Sequence, residues 1–229
     1  MAEKEQFAIL SKILKRFQAA GILDDLILIG SWCLYFYRLQ PGSFEDLPAV
    51  RTLDVDFLIP RPQRSKKEVN VPAILEEFGF TPTYHGMSGL VVYDHPELRL
   101  EFLIPEIGKG TSRPVSVRNL HVNAQAIRYL NFLSDYTMVV DYQGVEVRIP
   151  EPAAFALHKL IVSSRRTKKE KKQKDLESAV GLLELLFENP QGKERVLSIL
   201  KKLPPKWRKT ILAVSEEHFS ELNDLYTSS

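Results

Sequence analysis

The pattern of hydrophobic residues changes at Pro150. Both helices and strands are predicted before it, and only helices are predicted after it. A helical pattern from Lys4 to Ala20 comes first, followed by short apolar runs separated by turn residues. Short apolar runs bounded by Gly, Pro and Asn predict strands and short helices. The predicted strands are Leu26–Ile29, the strand containing Asp54 and Asp56, Thr81–Tyr84, Leu90–Asp94, Leu98–Ile104, and a hairpin of Tyr136–Asp141 with Val145–Ile149; the predicted short helices are Trp32–Leu39 and Val71–Phe78.

After Pro150, hydrophobic residues return every three to four positions and the strand patterns end. We therefore expect an α/β (α+β) protein in which residues 1–150 form a mixed twisted sheet flanked by helices. Residues 151–229 are expected to form a helical domain. The segment Ile107–Asn119 contains Gly, Lys and Ser and is predicted to be a mobile loop. The predicted C-terminal helices are Pro152–Ser164, Lys172–Glu188, Lys193–Lys202 and Lys206–Ser215.

The composition is that of an ordinary globular protein. Of 229 residues, 44% are hydrophobic and 26% are charged, and the formal net charge is +2. The only cysteine, Cys33, excludes an intramolecular disulfide and favours a reducing compartment. The longest apolar run is too short to span a bilayer and is interrupted by Gly30 and Ser31. We expect a cytoplasmic protein with no membrane partner.

Two acidic residues share one face of a predicted strand. Asp54 and Asp56 alternate with Val55 and Phe57, and side chains in a strand point to opposite faces in turn. Neighbouring carboxylates repel each other, and a cation between them relieves that repulsion. The alternative interpretation is a solvated strand face or a turn.

The same five-residue pattern occurs twice. Residues 56–60 and 101–105 are identical at four positions, and Asp56 is replaced by Glu101 at the fifth. If the two strands are neighbours on one core, Glu101 lies on the same side as Asp54 and Asp56. Three carboxylates together suit Mg²⁺, and two ions are expected, with Mn²⁺ as an alternative. One of the carboxylates is also a candidate general base. The alternative for Glu101 is a surface pair with Arg99.

A Gly-Ser pair that is a candidate for phosphate binding precedes these acids in the sequence. Gly30 and Ser31 follow an apolar strand at the start of a predicted helix, where backbone N–H groups and a hydroxyl are available to a phosphate. Together with the carboxylates, this pair indicates a metal-dependent site for a nucleoside triphosphate such as ATP.

These residues resemble the signature of the polymerase-beta-type nucleotidyltransferase superfamily. Gly30-Ser31, the apolar-flanked Asp54-x-Asp56 and the later Glu101 carry the resemblance. It implies a nucleotidyltransferase-type sheet over the first 150 residues, Mg²⁺ held by the three acids, and Gly30 and Ser31 on the triphosphate. The long spacer between Ser31 and Asp54 is closest to the minimal toxin or abortive-infection subgroup, which implies an antitoxin protein as a further partner.

The helical half carries further candidates. In that subgroup a Lys on the first helix after the catalytic domain, and a Lys-Asp step on the next, face the nucleotide. The resemblance thus implies nucleotide contacts for Lys159, Lys174 and Asp175 and a helical domain that closes the nucleotide cleft. The alternative for Lys159 is a solvated helix lysine, and His158 is expected to be a packing residue.

Seven basic residues and the single acid Glu170 lie between Arg165 and Lys174. Such a run is either a solvated linker or a contact for RNA or a triphosphate.

The sequence therefore predicts a nucleotidyltransferase that moves a nucleoside monophosphate from a triphosphate to an acceptor hydroxyl and releases pyrophosphate. The acceptor stays open between tRNA or other RNA, a protein and a small molecule. Two alternatives remain at this point. One is a nucleotide sensor or inactive protein that retains the fold, and the other is an RNA-binding module based on the basic run.

Overall fold

A mixed sheet and a group of helices belong to two separate units of the chain. The computed structural model describes residues 2–40, 44, 45, 47, 52–62, 67–85, 89–106 and 114–229. The first unit comprises Met1–Phe36 and Ala49–Pro150, and the second comprises Tyr37–Pro48 and Glu151–Ser229. The segment Tyr37–Pro48 thus groups with the helices, although it lies within the first 150 residues.

The strands and helices of the first unit follow the hydrophobic pattern closely. Helix α1 is Ala2–Ala19, and α2, which begins in this unit, is Trp32–Arg38. The other helices of this unit are α3 (Val71–Glu76) and α4 (Leu130–Asp135). The strands are β1 (Ile27–Ile29), β2 (Asp54–Leu58), β3 (Thr81–His85), β4 (Leu90–Asp94), β5 (Arg99–Pro105), β6 (Val115–Val117), β7 (Val122–Ile127), β8 (Thr137–Tyr142) and β9 (Val145–Pro150).

The central strand of the main sheet is β5. The strand order is β1-β2-β5-β4-β3, and β7 also pairs with β5 and carries β6 on its other side. Strand β2 runs parallel to β5, whereas β1 is antiparallel to β2. The first half of β5 pairs with β4 and its second half pairs with β7. Strands β8 and β9 form a separate hairpin.

The two faces of the sheet are buried to different extents. On one face, Phe57 and Phe102 are fully buried, and the ring of Phe17 from α1 lies 5.6 Å from that of Phe57. On the other face, an apolar cluster covers only one end of the strands, and the same face carries Asp54, Asp56 and Glu101 at the other end. The cluster consists of Ile27, Ile29, Leu58, Leu103, Leu130 and Leu133.

The second unit contains five helices among the residues that the structure describes. They are α5 (Pro152–Ser163), α6 (Lys169–Phe187), α7 (Pro190–Lys202), α8 (Pro205–His218) and α9 (Glu221–Thr227). Helix α5 is buried over most of its length and packs against α6, α7 and α8. The rings of Phe187 and Phe219 meet edge to face at 4.9 Å, so the carboxyl ends of α6 and α8 lie together.

The fold class and the strands predicted from the sequence are confirmed, with three differences. Residues 115–117 of the predicted loop form β6, while residues 107–113 lie outside the described part. The helix α6 begins at Lys169 rather than Lys172, so most of the basic run is helical. Strand β7 and helices α4 and α9 were not predicted, because β7 has small Ala residues at its inward positions and both helices are short.

No helix in the described part of the chain has an apolar stretch long enough to cross a membrane.

Candidate functional site

The glycine at the end of β1 lies directly against the second acid of the Asp-x-Asp pair. Ile29 pairs with Asp56, so the chain turns at Gly30 beside that side chain. Gly30 has φ +78°, and a Cβ added there would collide with Oδ2 of Asp56. Only glycine allows this approach without steric conflict. Ser31 follows, and its carbonyl accepts a hydrogen bond from the backbone N–H of Leu34 at 3.1 Å in α2.

The two copies of the repeated pattern are neighbours in the sheet. In the parallel pair β2–β5, Asp56 is in register with Glu101 and Phe57 with Phe102. Adjacent strands are about 4.8 Å apart, so the two acids start from neighbouring positions on one face. The two phenylalanines are fully buried on the other face, with ring centroids 6.1 Å apart. The predicted register is confirmed, and the metal-binding role of the acids stays a prediction.

An arginine and a further acid lie on the same face, and the sequence analysis did not include them in the site. Arg99 is in register with Asp54 on β2 and with Asp94 on β4. Its Nε lies 2.8 Å from Oδ1 of Asp94. The hydrogen bond and charge of Asp94 raise the pKa of Arg99, and the charges of Asp54 and Glu101 act in the same direction. The spacing of Arg99 and Glu101, two residues apart on one strand, was the signal for this proximity.

The carboxylate face has the chemistry of a hard-cation site but is not a closed ligand set. Asp54 is exposed, and Asp56 and Glu101 are half-buried. As placed, no three His, Cys, Asp or Glu side chains among the described residues come together as a metal-binding group. The residues still fit a divalent ion in two respects, since their oxygens are the ligands that Mg²⁺ prefers and the missing side chain of Gly30 lets the Asp56 carboxylate lie against the turn after β1.

In the second unit, two cations converge on one buried carboxylate. Asp175 on α6 is 3% exposed. Its two oxygens accept hydrogen bonds from Lys159 Nζ at 2.6 Å and from Arg166 Nε at 2.8 Å. Burial raises the pKa of Asp175, but the charges and hydrogen bonds of Lys159 and Arg166 outweigh it and hold that pKa below its usual value. Lys159 and Asp175 are thus brought together, whereas Lys174 is exposed.

His158 is a buried residue of α5, as its position in the apolar pattern predicts. It is 8% exposed. Burial lowers its pKa to about 3, and the adjacent Lys159 charge contributes further. The imidazole is therefore neutral at physiological pH and adds no charge beside Lys159.

The family is decided by the match over most of the chain. A family model described as Nucleotidyltransferase matches residues 9–199. The chain belongs to this nucleotidyltransferase family. The matched region includes Gly30, the Asp-x-Asp pair, Glu101 and Lys159. A search of curated proteins finds no match.

Two solved structures are similar to this chain at low sequence identity. The crystal structure of ANT(2″)-Ia in complex with adenylyl-2″-tobramycin has a TM-score of 0.50 and 13% identity, and the similarity covers 93% of this chain and 98% of that one. An antigenic nucleotidyltransferase-like protein from Paracoccidioides brasiliensis has a TM-score of 0.44 and 16% identity over 92% of this chain and 93% of the other. The ANT(2″)-Ia similarity shows a shared fold, and the nucleotidyltransferase identity expected from the sequence is confirmed by the family match.

Replacing His158 should flatten the loss of stability in mild acid. Its folded-state pKa is below the unfolded value near 6.5, so the unfolded chain binds more protons as pH falls. Wild-type stability should therefore fall from pH 6.5 towards pH 3, by about 2–3 kcal/mol at pH 4.5 from this group alone. The variant His158→Gln, compared with wild type by urea unfolding at pH 7 and 4.5, should lose less on acidification.

The matched control is His218→Gln, because His218 is exposed. It should retain the wild-type dependence on pH. An unchanged dependence in His158→Gln would contradict the buried neutral imidazole.

Proposed function

We propose that this protein transfers a nucleoside monophosphate from a nucleoside triphosphate to an acceptor hydroxyl and releases pyrophosphate. Family membership supports nucleotidyl transfer as the reaction class. The observation that carries the proposal is the β2–β5 register, which makes Asp56 and Glu101 neighbours on one face. The close approach of Gly30 to Asp56 supports a phosphate-binding role for Gly30 and Ser31 beside these acids.

In the proposed reaction, the acceptor oxygen attacks the α-phosphorus of the triphosphate. The bond from that phosphorus to the bridging oxygen breaks, and pyrophosphate leaves with its electron pair. The hydroxyl proton passes to a carboxylate, for which we propose Glu101. Gly30 and Ser31 hold the triphosphate through backbone N–H groups and the hydroxyl.

Asp54, Asp56 and Glu101 are the residues that would hold Mg²⁺, or Mn²⁺ in its place. Two such ions, when bound, would stabilise negative charge on the attacking and leaving oxygens. Asp56 and Glu101 are half-buried, and Asp54 is exposed. The chain's own contribution is to fix these acids by the strand register.

We propose that Lys159 and Lys174 contact the nucleotide phosphates. Both oxygens of Asp175 already bind cations, so we propose that Asp175 completes the nucleotide pocket by fixing Lys159 and Arg166. Lys174→Ala should raise the KM for the triphosphate with little effect on stability, since this side chain is exposed. The exposed Lys15 supplies the control, and Lys15→Ala should leave KM for the triphosphate unchanged. An unchanged KM in Lys174→Ala would remove Lys174 from the site.

The reaction is tested by the acids themselves. Asp54→Asn or Asp56→Asn should abolish transfer of labelled nucleotide to acceptors in cell extract, with a rate loss on the order of 10³-fold or more. The fold should survive because neither side chain is in the apolar core. Thermal unfolding of each variant checks this second expectation.

Asp24→Asn is the matched control, because Asp24 is an exposed acid in the same unit. It should transfer nucleotide at the wild-type rate. Near-normal transfer by a folded Asp56→Asn protein would rule out the proposed site. Binding of triphosphate by wild type without turnover would favour the alternative of a nucleotide sensor.

Gly30→Ala should remove transfer at a modest cost in stability. The new methyl group would displace the Asp56 carboxylate, and the positive φ adds about 1–2 kcal/mol of strain. Gly144→Ala has the same strain, at φ +80°, but no atom lies within 4 Å of the added Cβ. Both variants should lose similar stability in urea unfolding, and only Gly30→Ala should lose activity. Equal activities in the two variants would contradict the role of the Gly30–Asp56 approach.

A further inference from the structure

A second basic segment lies at the junction of α7 and α8, outside the proposed nucleotide site. Five cations and no acid occur between residues 201 and 209. Lys201, Lys202, Lys206 and Lys209 are exposed and Arg208 is half-buried. Among the described residues, none of the five forms an ion pair with an Asp or Glu side chain, and Lys201 Nζ donates to the oxygen of Ser229 at 3.2 Å. We call these five residues the α7–α8 basic patch.

Helix stability explains only part of this patch. Lys201 and Lys202 occupy the last turn of α7, where cations interact favourably with the helix dipole. Lys206, Arg208 and Lys209 occupy the first two turns of α8, which has no acid in its first turn. Cations near a helix amino terminus oppose the dipole. Charges that act against local stability are expected where a partner uses them.

An open groove of about 420 Å³ borders the patch. Pro205, Leu212 and Ala213 provide apolar surface, Arg208 and Lys209 add positive charge, and Glu216 lies among the lining residues. Arg208 is held in position, since its Nη1 donates to the carbonyl of Lys201 at 3.0 Å and its guanidinium lies 5.9 Å from the centre of the Tyr226 ring. The groove therefore combines apolar lining residues with the positive charge of Arg208, whose position is fixed.

We propose that the α7–α8 basic patch binds a single-stranded polynucleotide, with phosphates on the lysines and one base in the groove. Phosphodiesters are complementary to unpaired cations, and the apolar groove beside Arg208 suits the face of a base. An acidic peptide would use the charges but not the apolar groove. The other basic run, 165–174, is a weaker candidate because its Arg166 is paired with the buried Asp175.

The first test measures binding of the full chain to a fluorescent 15-nucleotide oligo(U) RNA by anisotropy, without nucleoside triphosphate. Lys206→Gln/Lys209→Gln removes two charges of the patch. Its affinity should fall on the order of tenfold at 0.1 M salt, and the slope of log K against log salt should shrink by about 1.4, as two lost phosphate contacts require. A DNA oligonucleotide of equal length should behave alike, since phosphates and base faces are shared.

The control Lys12→Gln/Lys15→Gln removes two exposed charges from α1 and should bind as wild type does. Lys12→Gln/Lys15→Gln should keep the wild-type melting temperature, and Lys206→Gln/Lys209→Gln should equal or exceed it, because it removes charges that oppose the α8 dipole. Equal losses in the two double variants, or none in Lys206→Gln/Lys209→Gln, would overturn the proposal.

A second pair of variants tests the groove at the exposed Ala213. Ala213→Glu should weaken RNA binding and Ala213→Lys should strengthen it, each several-fold. The same affinity in both would overturn the groove assignment. Unlabelled RNA should displace the labelled RNA more effectively than poly-glutamate or anionic phospholipid vesicles do. Equal displacement by either of these would overturn the choice of partner. The assay involves no transfer, so its outcome is separate from that of the proposed reaction.

Discussion

The parallel register between β2 and β5 is the constraint on which the carboxylate face depends. It pairs Asp56 with Glu101 and Phe57 with Phe102, so it assigns two acids to one face and two aromatic rings to the other. A shift of one residue would bury an acid and expose a phenylalanine. The stacked rings of Phe57 and Phe102, together with Phe17, therefore fix the position of the acids from the opposite side of the sheet.

The sequence was informative where a pattern is local. Alternation alone placed Asp56 and Phe57 on opposite faces, and the repetition of five residues predicted that Glu101 would be a neighbour. The pairing of Arg99 with Asp94 was not predicted, because it depends on how β4 joins β5 after a turn. Strand β7 was missed since its inward positions are small residues whose burial comes from the neighbouring β5.

The basic run 165–174 and the buried Asp175 show the same difference between what the sequence predicts and what depends on tertiary contacts. The basic run was visible in the sequence, but its individual roles were not. Arg166 pairs with the buried Asp175, whereas Lys174, one residue before that acid, is exposed. Arg166 lies in the connection between α5 and α6, so its pairing depends on how that connection brings it to Asp175 rather than on helical spacing. Composition cannot distinguish these cases, since all of them are cations within ten residues.

The apolar cluster beside the carboxylates has a consequence for how this fold can change over time. Leu58 and Leu103 lie two residues beyond Asp56 and Glu101 on the same strands, and they are buried with Ile27 and Ile29. Buried apolar packing thus lies in one half of that face, and the acids proposed for the reaction lie in the other half. A lineage with this arrangement can exchange or lose its acids by single substitutions without unfolding. On the proposed reaction, such substitutions would convert an active enzyme into an inactive protein with the same fold.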